Sequence, residues 1–244
     1  MLWKVSWRTD EVLLLLIAVV LSVFTGSVAG ELLGRFGVAG FRTPDGAGSI
    51  LLATLSFHGA AIVAAIVFLK LHAIRWRDAL GLRDNNLGLQ LLLTFTVLAA
   101  ALPVMYSLEY VSEILLQKMH WSVDKQRAVE MFSGAKTVWL RVYLGFFAVV
   151  LAPLAEEFIF RGLLFSGAKK LGWPKAGWVG ASMLFALIHM NAPAFLPLFV
   201  FALALTWLYQ KTGGLFAPML AHSLFNALNL LFLLHEQRAS HVGP

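Results

Sequence analysis

The stretch LGFFAVVLAPLAEEFIFRGLLF, residues 144–165, decides how the chain is to be read. Its length and apolar character suit the hydrocarbon core of a bilayer, about 30 Å thick. Yet Glu156 and Glu157 stand side by side in its interior, and they are the only acids between Met131 and His235. A single charge at the centre of a spanning helix costs about 2.5–3.5 kcal/mol on insertion scales, so an adjacent pair needs a reason. Arg161 supplies half of one: it follows Glu157 by four residues, shares its helix face and can form an ion pair with it. Glu156 points about 100° away around the helix. It therefore needs a second partner or a purpose.

The same solvent is written into the rest of the chain. Of its 244 residues 59% are hydrophobic and 13% charged, with a mean hydropathy of +0.79; soluble domains carry about 25% charged residues. Seven apolar segments, approximately 11–30, 48–70, 87–107, 138–166, 175–191, 194–210 and 215–235, read as membrane helices. The expected fold is an all-α polytopic transmembrane bundle of seven spans, or eight if the 108–137 connection hides another helix. The fifth and sixth segments are short and are joined by Asn191-Ala192-Pro193. The first follows Lys4 and Arg8 like a signal-peptide core, but its length and the spans after it argue for a retained helix. We divide the chain into N-terminal membrane helices with an interfacial segment (1–137), a core carrying the chemistry (138–235) and a short tail (236–244).

Net charge is +6, but the basic residues lie in short loops between apolar runs, which points to anionic lipid rather than nucleic acid. Lys4, Arg8, Lys70, Arg75, Arg77, Arg83, Lys169, Lys170, Lys175 and Lys211 all fall on one side of a seven-span topology, against Arg35, Arg42 and Arg238 outside the long third connection. The positive-inside rule then puts the amino terminus in the cytoplasm. In the third connection, Leu108, Val111, Ile114, Leu115 and Met119 have helical spacing, which fits an amphipathic helix along the interface or an ordinary extramembrane helix. Cysteine is absent, which excludes disulfides, zinc–thiolate sites and a cysteine nucleophile.

Two histidines fall at a depth comparable to that of the acids. His189 ends the fifth segment, with Phe185 one turn before it; His222 lies in the seventh, where Asn226 and Asn229 extend it into one polar stripe. Counted from the basic boundaries at the α-helical rise, Glu156, His189 and His222 lie roughly 18, 21 and 12 Å deep. All three can meet at one level, and converging ionisable groups inside a membrane mark a functional site. His58, alone in the second segment, reads as a helix–helix hydrogen bonder.

Glu156-Glu157-x-x-x-Arg161, Phe185-x-x-x-His189 and His222-x-x-x-Asn226 resemble the three ordered motifs of the type II CAAX prenyl protease family, also called CPBP or Abi, whose eukaryotic members include the Ras-converting endopeptidase. The resemblance covers about residues 138–230. It implies an intramembrane glutamic-type endopeptidase in which Glu156, His189, His222 and Asn226 carry the chemistry, with Glu157, Arg161 and Phe185 positioning them; Asn229, from its place in the polar stripe, is expected to join these positioning residues. The residues themselves point the same way. No serine, threonine or cysteine pairs with these histidines; Ser223 adjoins His222 but faces elsewhere. Water activated by Glu156, with help from His189, is then the nucleophile, and His222 and Asn226 are donors for the oxyanion.

No cofactor is expected. The alternative is zinc on Glu156, His189 and His222 with a water, although the chain has no His-Glu-x-x-His helix. Two other classes compete with the protease: a membrane scaffold or bacteriocin-immunity-type protein, and a small transporter or proton relay, against which the absence of an internal repeat weighs. The expected partners are the bilayer and a membrane-associated protein or peptide substrate. The resemblance allows prenylated CAAX proteins, bacteriocin-type leader peptides and carboxy-terminal sorting tails. The short chain and twin-lysine loop suggest a bacterial cytoplasmic membrane, where prenylated substrates would not be expected.

Overall fold

The computed structural model describes residues 2–43, 46–82, 87–123, 126–135 and 137–242. Among them the regular elements are all helical: α1 (Thr9–Arg35), α2 (Ala47–Leu71), α3 (Trp76–Leu80), α4 (Leu87–Lys118), α5 (Arg127–Gly134), α6 (Val138–Lys170), α7 (Pro174–Ile188), α8 (Ala192–Thr212) and α9 (Phe216–Val242), after a short 3-10 turn at Leu2–Lys4. Six of these, α1, α2, α4, α6, α8 and α9, are long and apolar enough to cross a membrane, and the chain is an integral multi-pass membrane protein. All seven apolar segments become helices where expected. The fifth, α7, has only 15 residues, about 22 Å at the α-helical rise, so the bundle has six full spans and one short one.

The third connection departs from expectation. Residues 108–118 are neither a separate interfacial helix nor an eighth span; they continue α4, which runs unbroken for 32 residues through Pro103. Leu108–Lys118 contains no glycine or proline to stop the helix. The chain turns only at His120, whose φ of 58° leaves the helical region, and the rest of the connection holds the eight-residue α5. The last helix likewise runs on through residue 242.

Helix α8 is the most enclosed span, packed against α4, α7 and α9, while the outer faces of α1 carry exposed Leu13, Leu14, Val20, Leu21 and Phe24, as lipid-facing positions should. The basic loops gather at one end of the bundle. Lys170 Nζ donates to the carbonyls of Val5 (3.2 Å) and Trp7 and sits over the Trp7 ring. Lys169 reaches Gln210, and the Leu215 amide donates to Ala79 O at 3.0 Å. That last contact needs Gly81, at φ +73°, against Gly214, where an added Cβ would fall 2.4 Å from the Gly81 backbone. Arg83 lies outside the described residues.

Helices α1 and α2 meet where Gly26 faces Ser56, a contact made possible by the missing side chain. An alanine Cβ at position 26 would lie 2.6 Å from Ser56 Cβ. We expect Gly26→Ala to destabilise the purified protein by about 1–3 kcal/mol, the usual cost of overpacking, seen as a lower melting temperature in detergent. Gly180→Ala, where nothing lies within 4 Å, is the matched control and should melt at or above the wild type. Equal melting of wild type and Gly26→Ala would refute the close packing of α1 on α2.

Candidate active site

Helix α6 is not α-helical throughout. It widens to π-helix at Phe147–Leu151 and again at Phe158–Phe165, leaving Ala152–Glu157 as a single α stretch between them; α2 has a third π turn at Leu55–Gly59. Pro153 bears on the first widening. Proline has no N–H to donate. With the Ala152 amide already bonded five residues back to Phe147 O, the next carbonyl in that register, Ala148 O, has no backbone donor at position 153. Asn226 of α9 supplies one: its Nδ2 donates to Ala148 O at 2.8 Å. One amide hydrogen of Asn226 thus locks α9 to α6, and the second remains for another acceptor.

Glu157 and Arg161 form the ion pair expected from their spacing, at 2.8 Å and with side-chain exposures of 0% and 1%. The guanidinium is satisfied further by α8: Nη2 donates to Ala202 O (3.0 Å) and Nε to Thr206 Oγ1 (3.3 Å). It also lies 5.0 Å from the centre of the Phe185 ring. Below it Ser166 bonds Arg161 O and the Tyr209 hydroxyl, continuing the polar seam toward the basic end. Hydrogen bonds to the guanidinium and to Glu157 Oε1 make such a buried pair tolerable, while Glu157 Oε2 has no hydrogen-bond partner among the described residues.

His222 joins the two acids. Its Nδ1 lies 2.9 Å from Glu157 Oε1, and its Nε2 lies 3.8 Å from Glu156 Oε2. A carboxylate bound to arginine is an acceptor, so Nδ1 carries the hydrogen and the ring is oriented with Nε2 toward Glu156. His189 is fixed by the same logic: Nδ1 lies 2.7 Å from Phe185 O, a carbonyl that can only accept, which leaves Nε2 as the free ring nitrogen. Phe185, fully buried, touches the rings of Phe160, His189 and His222. The structure therefore brings Glu156, Glu157, Arg161, Phe185, His189 and His222 together, with Asn226 beside them. Asn229 stands apart: it accepts from the Tyr106 hydroxyl of α4 at 2.9 Å.

Glu156 is nine-tenths buried, and its two oxygens differ. Oε1 meets His58 Nε2 at 3.2 Å, while Oε2 has no hydrogen-bond partner among the described residues. His58 was legible only as a polar residue in an apolar helix, because nothing local to α2 announces a partner 98 residues away. Among the described residues no group of three or more histidines, cysteines and acids is already arranged as metal ligands.

Removing one half of a buried ion pair should cost more than removing both. Arg161→Met should lower stability by about 3–5 kcal/mol, and adding Glu157→Gln should restore part of the lost melting temperature. An Arg161→Met protein that melts like the wild type would show that the pair does not hold the bundle.

Comparison with known proteins bears on the segment that carries this cluster. An 86-residue part of the chain is 34% identical to the "Uncharacterized protein YpbD" of Bacillus subtilis (strain 168), covering 34% of this chain and 41% of that protein. No solved structure matches. Residues 137–228 match the family model "Type II CAAX prenyl endopeptidase Rce1-like", a protease family, and this is the family that the three motifs resemble.

Proposed function

We propose that the protein is an intramembrane endopeptidase in which Glu156 activates water for direct attack on a peptide bond. The observation that carries this reading is the setting of Glu156: His58 holds one oxygen, and the other, without a hydrogen-bond partner among the described residues, has the Nε2 of an oriented His222 3.8 Å away. The match to an endopeptidase family over the same residues supports it.

In this mechanism a water lodged against Glu156 Oε2 gives that carboxylate a proton as its oxygen attacks the scissile carbonyl carbon. The new C–O bond forms, and the carbonyl π electrons move to oxygen. The oxyanion is met by Nε2–H of His222 as the imidazolium, tethered through Nδ1 to Glu157, and by the second amide hydrogen of Asn226. Glu156 and Glu157 with Arg161 carry a formal charge of minus one, so an imidazolium at His222 brings the buried cluster to neutrality. Collapse breaks the C–N bond, and the Glu156 carboxyl returns its proton to the departing amine, directly or through His189 Nε2. The products are a carboxylic acid and an amine. The substrate is a membrane-associated or lipidated protein or peptide whose scissile bond lies near the bilayer, with CAAX-type processing as the family's precedent. The basic end of the bundle faces the cytoplasm.

Mass spectrometry of membrane-protein termini, in cells with wild type or Glu156→Gln at matched levels, tests the chemistry. A terminus seen with wild type should fall on the order of 10²–10⁴-fold with the variant, the range expected for losing a general base. Identical terminal profiles would move the cluster to a role in assembly. Orientation is tested on the naturally cysteine-free chain. Single cysteines at Arg77 and Lys211 should react with an impermeant maleimide only when the cytoplasmic face is open, and one at Arg42 only from outside. The reverse pattern would invert the topology.

A further inference from the structure

His58 comes from α2, outside residues 137–228, and no motif named so far includes it. It is nonetheless the residue whose side chain hydrogen-bonds Glu156, with Nε2 at 3.2 Å from Oε1. Its ring is gripped on two sides. Phe57 and Phe147 lie 4.6 Å away centre to centre, at 86° and 88°, so both present edge-to-face contacts that fix the imidazole plane. Both grips sit on π-helical turns, Leu55–Gly59 for Phe57 and His58, Phe147–Leu151 for Phe147. Such turns are costly, uncommon and frequent at functional sites. The ring is largely enclosed, its side chain being 17% exposed, and Nδ1 has no hydrogen-bond partner among the described residues.

We propose that His58 is a positioning residue for Glu156: it donates Nε2–H to Oε1 and so holds the carboxylate with Oε2 turned toward His222 Nε2 and the attacking water. This rests on the reading of Glu156 as the base. A carboxylate on a long side chain has freedom about its last bonds, and fixing one oxygen leaves the other with a single direction.

The test compares His58→Leu, which removes the donor, with His58→Gln, whose amide can still donate near the Nε2 position. The carboxylate bands of Glu156 are first identified by infrared spectroscopy as those lost in Glu156→Gln. They should shift in His58→Leu and return toward the wild-type position in His58→Gln. On a substrate found by terminal profiling, His58→Leu should lower kcat on the order of 10²-fold, the usual loss for misplacing a reacting group by about 1 Å, with KM little changed. His58→Gln should recover most of that loss, at matched melting temperatures. Three results overturn the proposal: unshifted bands in His58→Leu, wild-type kcat in His58→Leu, or equal losses in both variants. A terminus that depends on Glu156 but not on His58 removes His58 alone. If wild type yields no product at all, the hydrolytic reading falls and the positioning role falls with it, while the infrared bands still decide whether His58 holds Glu156.

Discussion

The structure depends on burying an arginine and a glutamate where neither could stay alone. Arg161 is among the largest fully buried side chains, and besides Glu157 on its own helix it engages two other elements: Ala202 and Thr206 on α8, and the Phe185 ring on α7. An unpaired charge in this interior would cost several kcal/mol, so the three helices are obliged to meet around it. Through Glu157 the obligation extends to His222 and thus to α9. One ion pair therefore sets the relative placement of α6, α7, α8 and α9, the elements that surround Glu156 and His222.

The neighbouring Glu156 gains its character from what Glu157 has already used up. Two carboxylates of identical chemistry sit one residue apart on a helix, and their environments separate them. Glu157 gives one oxygen to both an arginine and a histidine and is locked; Glu156 is held by one histidine and keeps an oxygen open to a second. The helix makes this possible by pointing the two side chains about 100° apart.

How much of this was legible in the sequence follows from how local each contact is. The Glu157–Arg161 pair was, because four residues on one helix is a local distance. So was the convergence of Glu156, His189 and His222, because depth in a membrane can be counted from the loops. The helices were legible as well, since apolar length marks them, except where a helix outruns the bilayer, as α4 does into Lys118. What could not be read depends on contacts between distant parts of the chain. The tie from Asn226 to Ala148 spans 78 residues and depends on a π register that no periodicity announces, although Pro153 was a hint that some carbonyl would be left without its donor. The bond from Tyr106 to Asn229 was likewise invisible, which is why Asn229 joined the expected stripe and then turned out to face α4.

The π-helical turns connect these points. A π turn inserts one extra residue per loop of helix, so it rotates everything beyond it relative to an α register. In α6 one such segment ends just before the acids and another begins just after them, so the α stretch Ala152–Glu157 can be aimed independently of the helix on either side. The turn in α2 does the same for His58, and Phe147 from the first α6 segment closes on that ring. In a membrane such irregular backbone survives only where neighbouring groups satisfy the carbonyls it frees, and Asn226 does this at Ala148. The same amide that repairs the helix stands next to the histidine facing Glu156. Repair of the backbone and assembly of the site are therefore a single requirement on α9, which explains why a polar asparagine one turn beyond His222 is kept on an otherwise apolar helix.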